Sequence, residues 1–134
     1  MNNFKTEQEK FWATEFGDDY IHRNQGEFLL ASNLNFFTKA LKHAGNITSC
    51  IEFGANIGMN LKALKLLYPK MNLRGIEINE KACLELAKLI GNKNVFQGSI
   101  FDYPTLEKED ISIIKGVLIH INPEMLPLVY EKLY

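Results

Sequence analysis

Cys50-Ile51-Glu52-Phe53-Gly54-Ala55-Asn56-Ile57-Gly58 is the stretch whose reading decides the fold. It reads as a short buried strand ending in an acidic residue, then a glycine-bearing turn, then a helix opening at Gly58. Glycine carries no Cβ and tolerates positive φ, so such a turn lets backbone approach a ligand closely. The free N–H groups at the start of the next helix face whatever sits in the turn. A strand–turn–helix of this kind is the usual nucleotide-type site at the carboxyl edge of a parallel sheet.

The ligand class follows from spacing. The dinucleotide fingerprint G-x-G-x-x-G/A would place glycine or alanine where Gly54, Asn56 and Met59 stand, and two of the three positions fail. Asn56 is nonetheless physically suited to a turn, because Asn enters left-handed backbone geometry more readily than most residues. A carboxylate at Glu52 welcomes a cationic ligand and repels a pyrophosphate, which disfavours a nicotinamide-dependent oxidoreductase. The alternative reading of Glu52 is a buried carboxylate satisfied by turn amides, a structural brace.

The flanks support an α/β chain. Thr6-Glu7-Gln8-Glu9 is a capping-box pattern, and the helix it opens carries Phe11 and Trp12 and is expected to end near Gly17. Asp18-Asp19 is expected to cap a second short turn presenting Tyr20, His22, Arg23 and Asn24. Leu30, Leu34, Phe37, Leu41 and Ala44 form an apolar stripe at helical period, with Gly45 placed to stop it. Residues 1–48 are therefore expected to be a helical cover or lid, and residues 49–134 a partial Rossmann-like domain. Leu61, Leu64, Leu67 and Tyr68 line a helix that Pro69 ends. Asn72 to Ile76 reads as a second strand finishing at Glu77. Asn79 caps a helix with Ala82, Cys83, Leu86 and Ile90 on its inner face, and Val95-Phe96-Gln97 is a third strand. The apolar run Ile111 to Ile121 is expected to be a fourth strand covered on both faces. Asn122-Pro123-Glu124 starts a final helix. Strands alternating with helices imply a parallel, right-handed sheet.

Composition narrows the setting. The 134 residues are 46% hydrophobic with net charge −1, enough for one core and no argument for nucleic acid or an anionic membrane. No run approaches a membrane span, and the polar start is not a signal peptide. Cys50 and Cys83 read as reduced core residues with no disulfide or metal role, and the expected compartment is the cytoplasm.

Candidate site residues lie at the strand ends. Glu77 closes the second strand, where a carboxylate can accept hydrogen bonds from both hydroxyls of a ribose; a solvated loop carboxylate is the alternative. His120 has the side-chain chemistry of a general base, though a lone histidine in an apolar run is more often a hydrogen-bonded core residue. Tyr20 to Asn24 could close over the site, with Arg23 as a two-pronged partner for a ligand carboxylate; a surface helix cap is the alternative.

The stretch E-F-G-A-N-I-G, with Glu52 two before Gly54 and Gly58 four after it, resembles motif I of class I S-adenosylmethionine-dependent methyltransferases, [DE]-x-G-x-G-x-G. Asn56 replaces the middle glycine. That resemblance spans residues 49 to 121 and implies S-adenosyl-L-methionine as cofactor, held by Glu52, Gly54, Ala55, Asn56 and Gly58 in the turn and by Glu77 and Ile78 at the sugar. It implies that Gly98-Ser99-Ile100 reads adenine through Ser99 or the Ile100 backbone, with Asp102 as an alternative acceptor. The backbone near Lys115 would then face the methionine amine. F-W-A-T-E-F-G-D-D-Y-I-H-R-N and K-G-V-L-I-H-I-N-P-E-M-L-P-L-V-Y-E-K-L-Y further resemble the pseudaminic-acid-biosynthesis-associated methylases. This implies a small-molecule acceptor, a sugar or nucleotide sugar. The class I sheet order is 3-2-1-4-5-7-6, of which only strands 3-2-1-4 are expected here. The missing C-terminal strands imply a truncated or partial chain, with the fourth strand an edge covered by the final helix or by a second subunit in a homodimer. A truncated, catalytically inactive S-adenosylmethionine-binding module is the alternative to an active enzyme.

Overall fold

The computed structural model describes residues 3–23, 25–105 and 107–134. Four parallel strands, β1 (Ser49–Phe53), β2 (Asn72–Glu77), β3 (Val95–Gln97) and β4 (Ile111–Ile113), lie in the order β3-β2-β1-β4. Their crossovers carry α4 (Met59–Leu67) between β1 and β2 and α5 (Glu80–Ile90) between β2 and β3. Before the sheet come α1 (Glu7–Ala13), α2 (Glu15–Arg23) and α3 (Glu27–Ala40); α6 (Leu126–Leu133) closes the chain.

Because side chains alternate along a strand, β1 and β2 serve two layers at once. One face, with Cys50 and Leu73, packs with Phe37 of α3, Leu61 and Leu64 of α4 and Leu86 of α5. The other, with Ile51, Phe53 and Ile76, packs against Phe96, Ile100, Tyr103, Ile114 and Leu133 of α6. Asn79 caps α5, its Oδ1 accepting from the Ala82 N–H at 2.9 Å. Cys50 and Cys83 are free and buried, and burial pushes both thiols up to about 12.

The ends of the chain differ from expectation. The first helix ends at Ala13 rather than near Gly17, and Gly17, Asp18 and Asp19 lie inside α2. Gly17 is a close-approach residue instead of a stop, since a Cβ there would fall 1.8 Å from the Trp12 carbonyl oxygen. The run from Ile111 to Ile121 is not one strand. β4 covers three residues that pair with Cys50, Ile51 and Glu52 of β1, and two of the three are only half-buried. Gly116 then takes φ +71, and Leu118–His120 form a 3₁₀ turn. Among the described residues, no strand lies beyond β4; α6 covers a face of the sheet and leaves that outer edge open. Thr6 caps α1 as expected, accepting from the Glu9 N–H at 3.1 Å. No helix among the described residues is long and apolar enough to cross a membrane.

Candidate functional site

The turn after β1 has the geometry its residues imply. Gly54 has φ +75 and Asn56 φ +51, the one positive φ outside glycine among the described residues. The Gly54 and Ala55 N–H groups both donate to the Ile76 carbonyl at 2.9 Å, which locks the turn against the end of β2. Asn56 Oδ1 accepts from the Ile57 N–H at 2.8 Å, so the side chain braces its own left-handed position.

This turn forms the floor of a cavity of about 310 Å³ at the carboxyl ends of the strands. That volume is at the small end of the range for ligand pockets, roughly 300–1,000 Å³. Glu52, Gly54, Ala55 and Asn56 line it from the turn, Glu77 and Ile78 from the end of β2, and Ser99 and Ile100 from the loop after β3. Lys115 and His120 line it from the segment after β4, and Tyr20 from α2. Gly58 and Arg23 do not line it. Gly58 takes φ +87 as the N-cap of α4, and a Cβ there would meet Leu86 at 2.7 Å, so its place is helix packing. Arg23 is exposed at the last position of α2. Asn24, the end of the expected lid segment, lies outside the described residues, and exposed Asp102 does not line the cavity.

The two buried carboxylates differ in how they are satisfied. Glu77 Oε2 accepts from the Asn56 N–H at 2.7 Å, and Oε1 accepts from the Ile78 and Asn79 N–H groups at 2.8 and 2.9 Å. A carboxylate has about four lone-pair positions, so Glu77 has little left for two sugar hydroxyls. Burial still holds its carboxyl above the ordinary range, with the three amides pulling the other way. Glu52 is 1% exposed, and only Oε1 has a partner, the Asn60 Nδ2 at 2.6 Å. Among the described residues its Oε2 has no hydrogen-bond donor. Burial pushes the Glu52 carboxyl up to about 8, opposed by the Asn60 bond; nearby Glu77 adds to the rise and Lys115 works against it. The turn-amide brace expected as an alternative for Glu52 is thus realised at Glu77.

Several wall residues come from the N-terminal helices and carry no signal in a one-dimensional reading. Glu9 of α1 accepts the Ser99 hydroxyl hydrogen through Oε1 and the Lys5 N–H through Oε2. Ser99 Oγ also accepts from the Phe101 N–H at 3.1 Å. Trp12 lies 5.1 Å from the Tyr20 ring and 4.6 Å from His120, bridging α1, α2 and the segment after β4. Asp18 accepts from Asn79 Nδ2 at 2.8 Å and pairs with Lys81, pinning α2 to the start of α5. The capping box at Thr6 indicated where α1 starts; that its Glu9 would cross to Ser99 depends on packing 90 residues away.

The parallel order 3-2-1-4, with a glycine turn after the first strand and acidic residues closing the first two, is the Rossmann-like fold of class I methyltransferases. Solved structures place the chain within it. The plantazolicin methyltransferase BpumL, in complex with SAH, superposes with TM-score 0.70 at 20% identity, covering 95% of this chain and 53% of that one. The magnesium protoporphyrin IX methyltransferase ChlM from Synechocystis PCC 6803, with bound SAM, gives 0.67 at 16%, covering 98% and 72%. The mitomycin 7-O-methyltransferase MmcR gives 0.69 at 14%, covering 95% and 38%. The chain thus spans about half the length of the plantazolicin methyltransferase. No family model matches the sequence, and no curated protein matches it.

Proposed function

We propose that the chain binds S-adenosyl-L-methionine in this cavity and serves methyl transfer to a small-molecule acceptor. One observation carries the reading: Glu52, a residue lining a ligand-sized cavity in this fold, has a buried carboxylate oxygen, Oε2, with no donor among the described residues. Buried polar atoms are almost always paired, so an orphan here points to a ligand that supplies the donor. The residues fit a cationic nucleoside thioether better than a dinucleotide, because Glu52 would repel a pyrophosphate at the turn. When bound, S-adenosyl-L-methionine supplies an electrophilic methyl group on a sulfonium.

The chain's own residues orient and enclose. Gly54 and Ala55 keep the turn flat against β2, and the Asn56 and Ile78 backbone shapes the sugar end around Glu77. Glu77 keeps about one lone-pair position for a hydroxyl, so it offers one contact rather than a two-pronged grip. Ser99 is committed to Glu9 and to Phe101, which leaves the Ile100 backbone as the polar partner for a base edge. Trp12, Tyr20 and His120 form an aromatic wall that suits the acceptor side. His120 is the residue available there to take a proton from an acceptor hydroxyl at its imidazole nitrogen; catalysis can otherwise be mostly positioning. The acceptor class to test first is a sugar or nucleotide sugar, as the resemblance to the pseudaminic-acid-associated methylases implies. The same reading places the chain in the cytoplasm, with a second subunit against the outer edge of β4; light scattering that returns the mass of one chain refutes that dimer.

Calorimetry with S-adenosylhomocysteine and with NADH tests the reading. Binding of the first and not the second is expected, and the reverse overturns it. Turnover assays with sugar nucleotides separate an active enzyme from a cofactor-binding module without transfer.

A further inference from the structure

The charges lining the cavity are unevenly satisfied. Glu77 is occupied by three amides, and both Glu9 oxygens already accept hydrogen bonds. Glu52 keeps a free oxygen. Lys115 is the one lysine or arginine among the described residues lining the cavity, and no carboxylate pairs with it there. Its Nζ donates to Asn33 Oδ1 at 3.0 Å and to Asn60 Oδ1 at 3.4 Å. Those neutral acceptors use two of its three protons. Asn33 is 2% exposed, so the group steering the ammonium is itself a buried polar side chain from α3. The Lys115 Nζ also lies 5.4 Å from the centre of the Phe36 ring, a second favourable contact for a cation.

Asn60 connects the two incompletely satisfied groups. Its Nδ2 donates to Glu52 Oε1 while its Oδ1 accepts from Lys115. One side-chain amide therefore stands between a carboxylate and an ammonium, holding them close without letting them neutralise each other. An α-amino acid zwitterion has the complementary arrangement, with an ammonium and a carboxylate on the same carbon. Arg23, expected to meet the ligand carboxylate, is outside the cavity, so the role falls to another residue.

We propose that the Lys115 side chain, steered by Asn33 and Asn60, is the positioning and specificity residue for the carboxylate of the ligand's amino-acid tail, opposite Glu52. This deepens the methyltransferase reading and rests on it. The cavity then selects nucleoside thioethers that carry an amino acid over those that lack one. Lys115 is solvent-exposed, but its substitution takes a donor from buried Asn33 Oδ1, so the fold of the variant is measured directly.

The test is calorimetry on wild type and Lys115→Met with two ligands: S-adenosylhomocysteine, and 5′-methylthioadenosine, which keeps the nucleoside and thioether but has no amino acid. Loss of a charge-assisted contact predicts roughly tenfold or greater weakening for S-adenosylhomocysteine. Affinity for 5′-methylthioadenosine stays as in wild type. Thermal unfolding of the free variant checks that it is folded. Equal losses for both ligands, or no loss for either, overturn the assignment while leaving the cofactor reading in place. A wild-type chain that binds neither ligand overturns both.

Discussion

Replacing Glu52 by glutamine keeps the shape of the side chain and its bond to Asn60 while removing the ionisable group, and the consequence depends on pH. The carboxyl has an ordinary value of 4.5 and is held at about 8 in the fold, chiefly by burial. At about 1.4 kcal/mol for each tenfold change in proton affinity, full ionisation in the fold costs on the order of 5 kcal/mol. The effective dielectric even at buried protein sites is well above that of a dry interior, so about 2–3 kcal/mol is the amount to look for. The direction is that of an acid whose folded value is raised. Between pH 4.5 and about 8 the folded chain retains a proton that the unfolded chain has released, so stability declines as pH rises and levels off above about 8. Glu77 is also raised by burial and slopes the same way. The difference between wild type and E52Q isolates Glu52, with the repulsion between the two carboxylates counted in its share. Urea denaturation in steps from pH 5 to pH 9 should show the two proteins nearly equal at the acid end and E52Q the more stable at the alkaline end. Parallel curves would refute the assignment of a costly buried charge. The same linkage reaches binding: an ammonium placed beside Glu52 favours its ionised form, so S-adenosylhomocysteine binding near neutral pH releases close to one proton. Calorimetry in buffers of different ionisation enthalpy measures that number.

Gly54→Val combines a left-handed φ of +75 with a Cβ 2.6 Å from a Val117 methyl; backbone strain alone costs roughly 1–3 kcal/mol. A lower melting temperature is therefore expected together with lost S-adenosylhomocysteine binding, and an unchanged melting temperature contradicts it. Glu77→Ala removes the acceptor for three backbone amides, each worth roughly 1–3 kcal/mol before rehydration; chemical denaturation should show about 3 kcal/mol or more lost alongside the ligand contact. Gly17→Ala forces α1 away from α2, because the added methyl overlaps the Trp12 carbonyl. Trp12 is the sole tryptophan, so a shift of its fluorescence toward that of exposed indole reads the displacement directly. His120→Phe keeps an aromatic ring beside Trp12 but cannot accept a proton; if His120 is the base, turnover drops about 10²–10⁴-fold with cofactor affinity unchanged.

Local chemistry along the chain was enough for much of the frame. The strands at 49–53, 72–77 and 95–97, the Asn79 cap and the left-handed Asn56 depend on patterns a few residues long, where side-chain period and turn preference act without distant help. Alternation of strands with helices implies the parallel sheet; its order 3-2-1-4, which the structure shows, is what the resemblance to class I methyltransferases implies. The identity of Glu52, Gly54, Asn56 and Glu77 as cavity residues was legible for the same reason, since strand ends and turns in this architecture meet at one edge.

Tertiary packing decided the rest. Ile111 to Ile121 is apolar enough to be one long strand, yet a strand needs backbone partners, and β1 offers them only at Cys50 to Glu52. The remainder turns at Gly116 and sends Val117, Ile121 and His120 to the cavity wall. Gly17 could be read as a helix stop or as a close contact, and only the approach of the Trp12 backbone chooses between them. The turn-amide brace falls to Glu77 instead of Glu52 because the amide donors of the Asn56 turn and of the β2 end converge on Glu77. Glu9, Trp12, Asn33 and Asn60 join the cavity from helices whose sequence pattern specifies a face but not the neighbour it will meet. A linear pattern determines which residues can share a surface; which surfaces touch, and so which buried charge is left without a partner, is set when the helices dock.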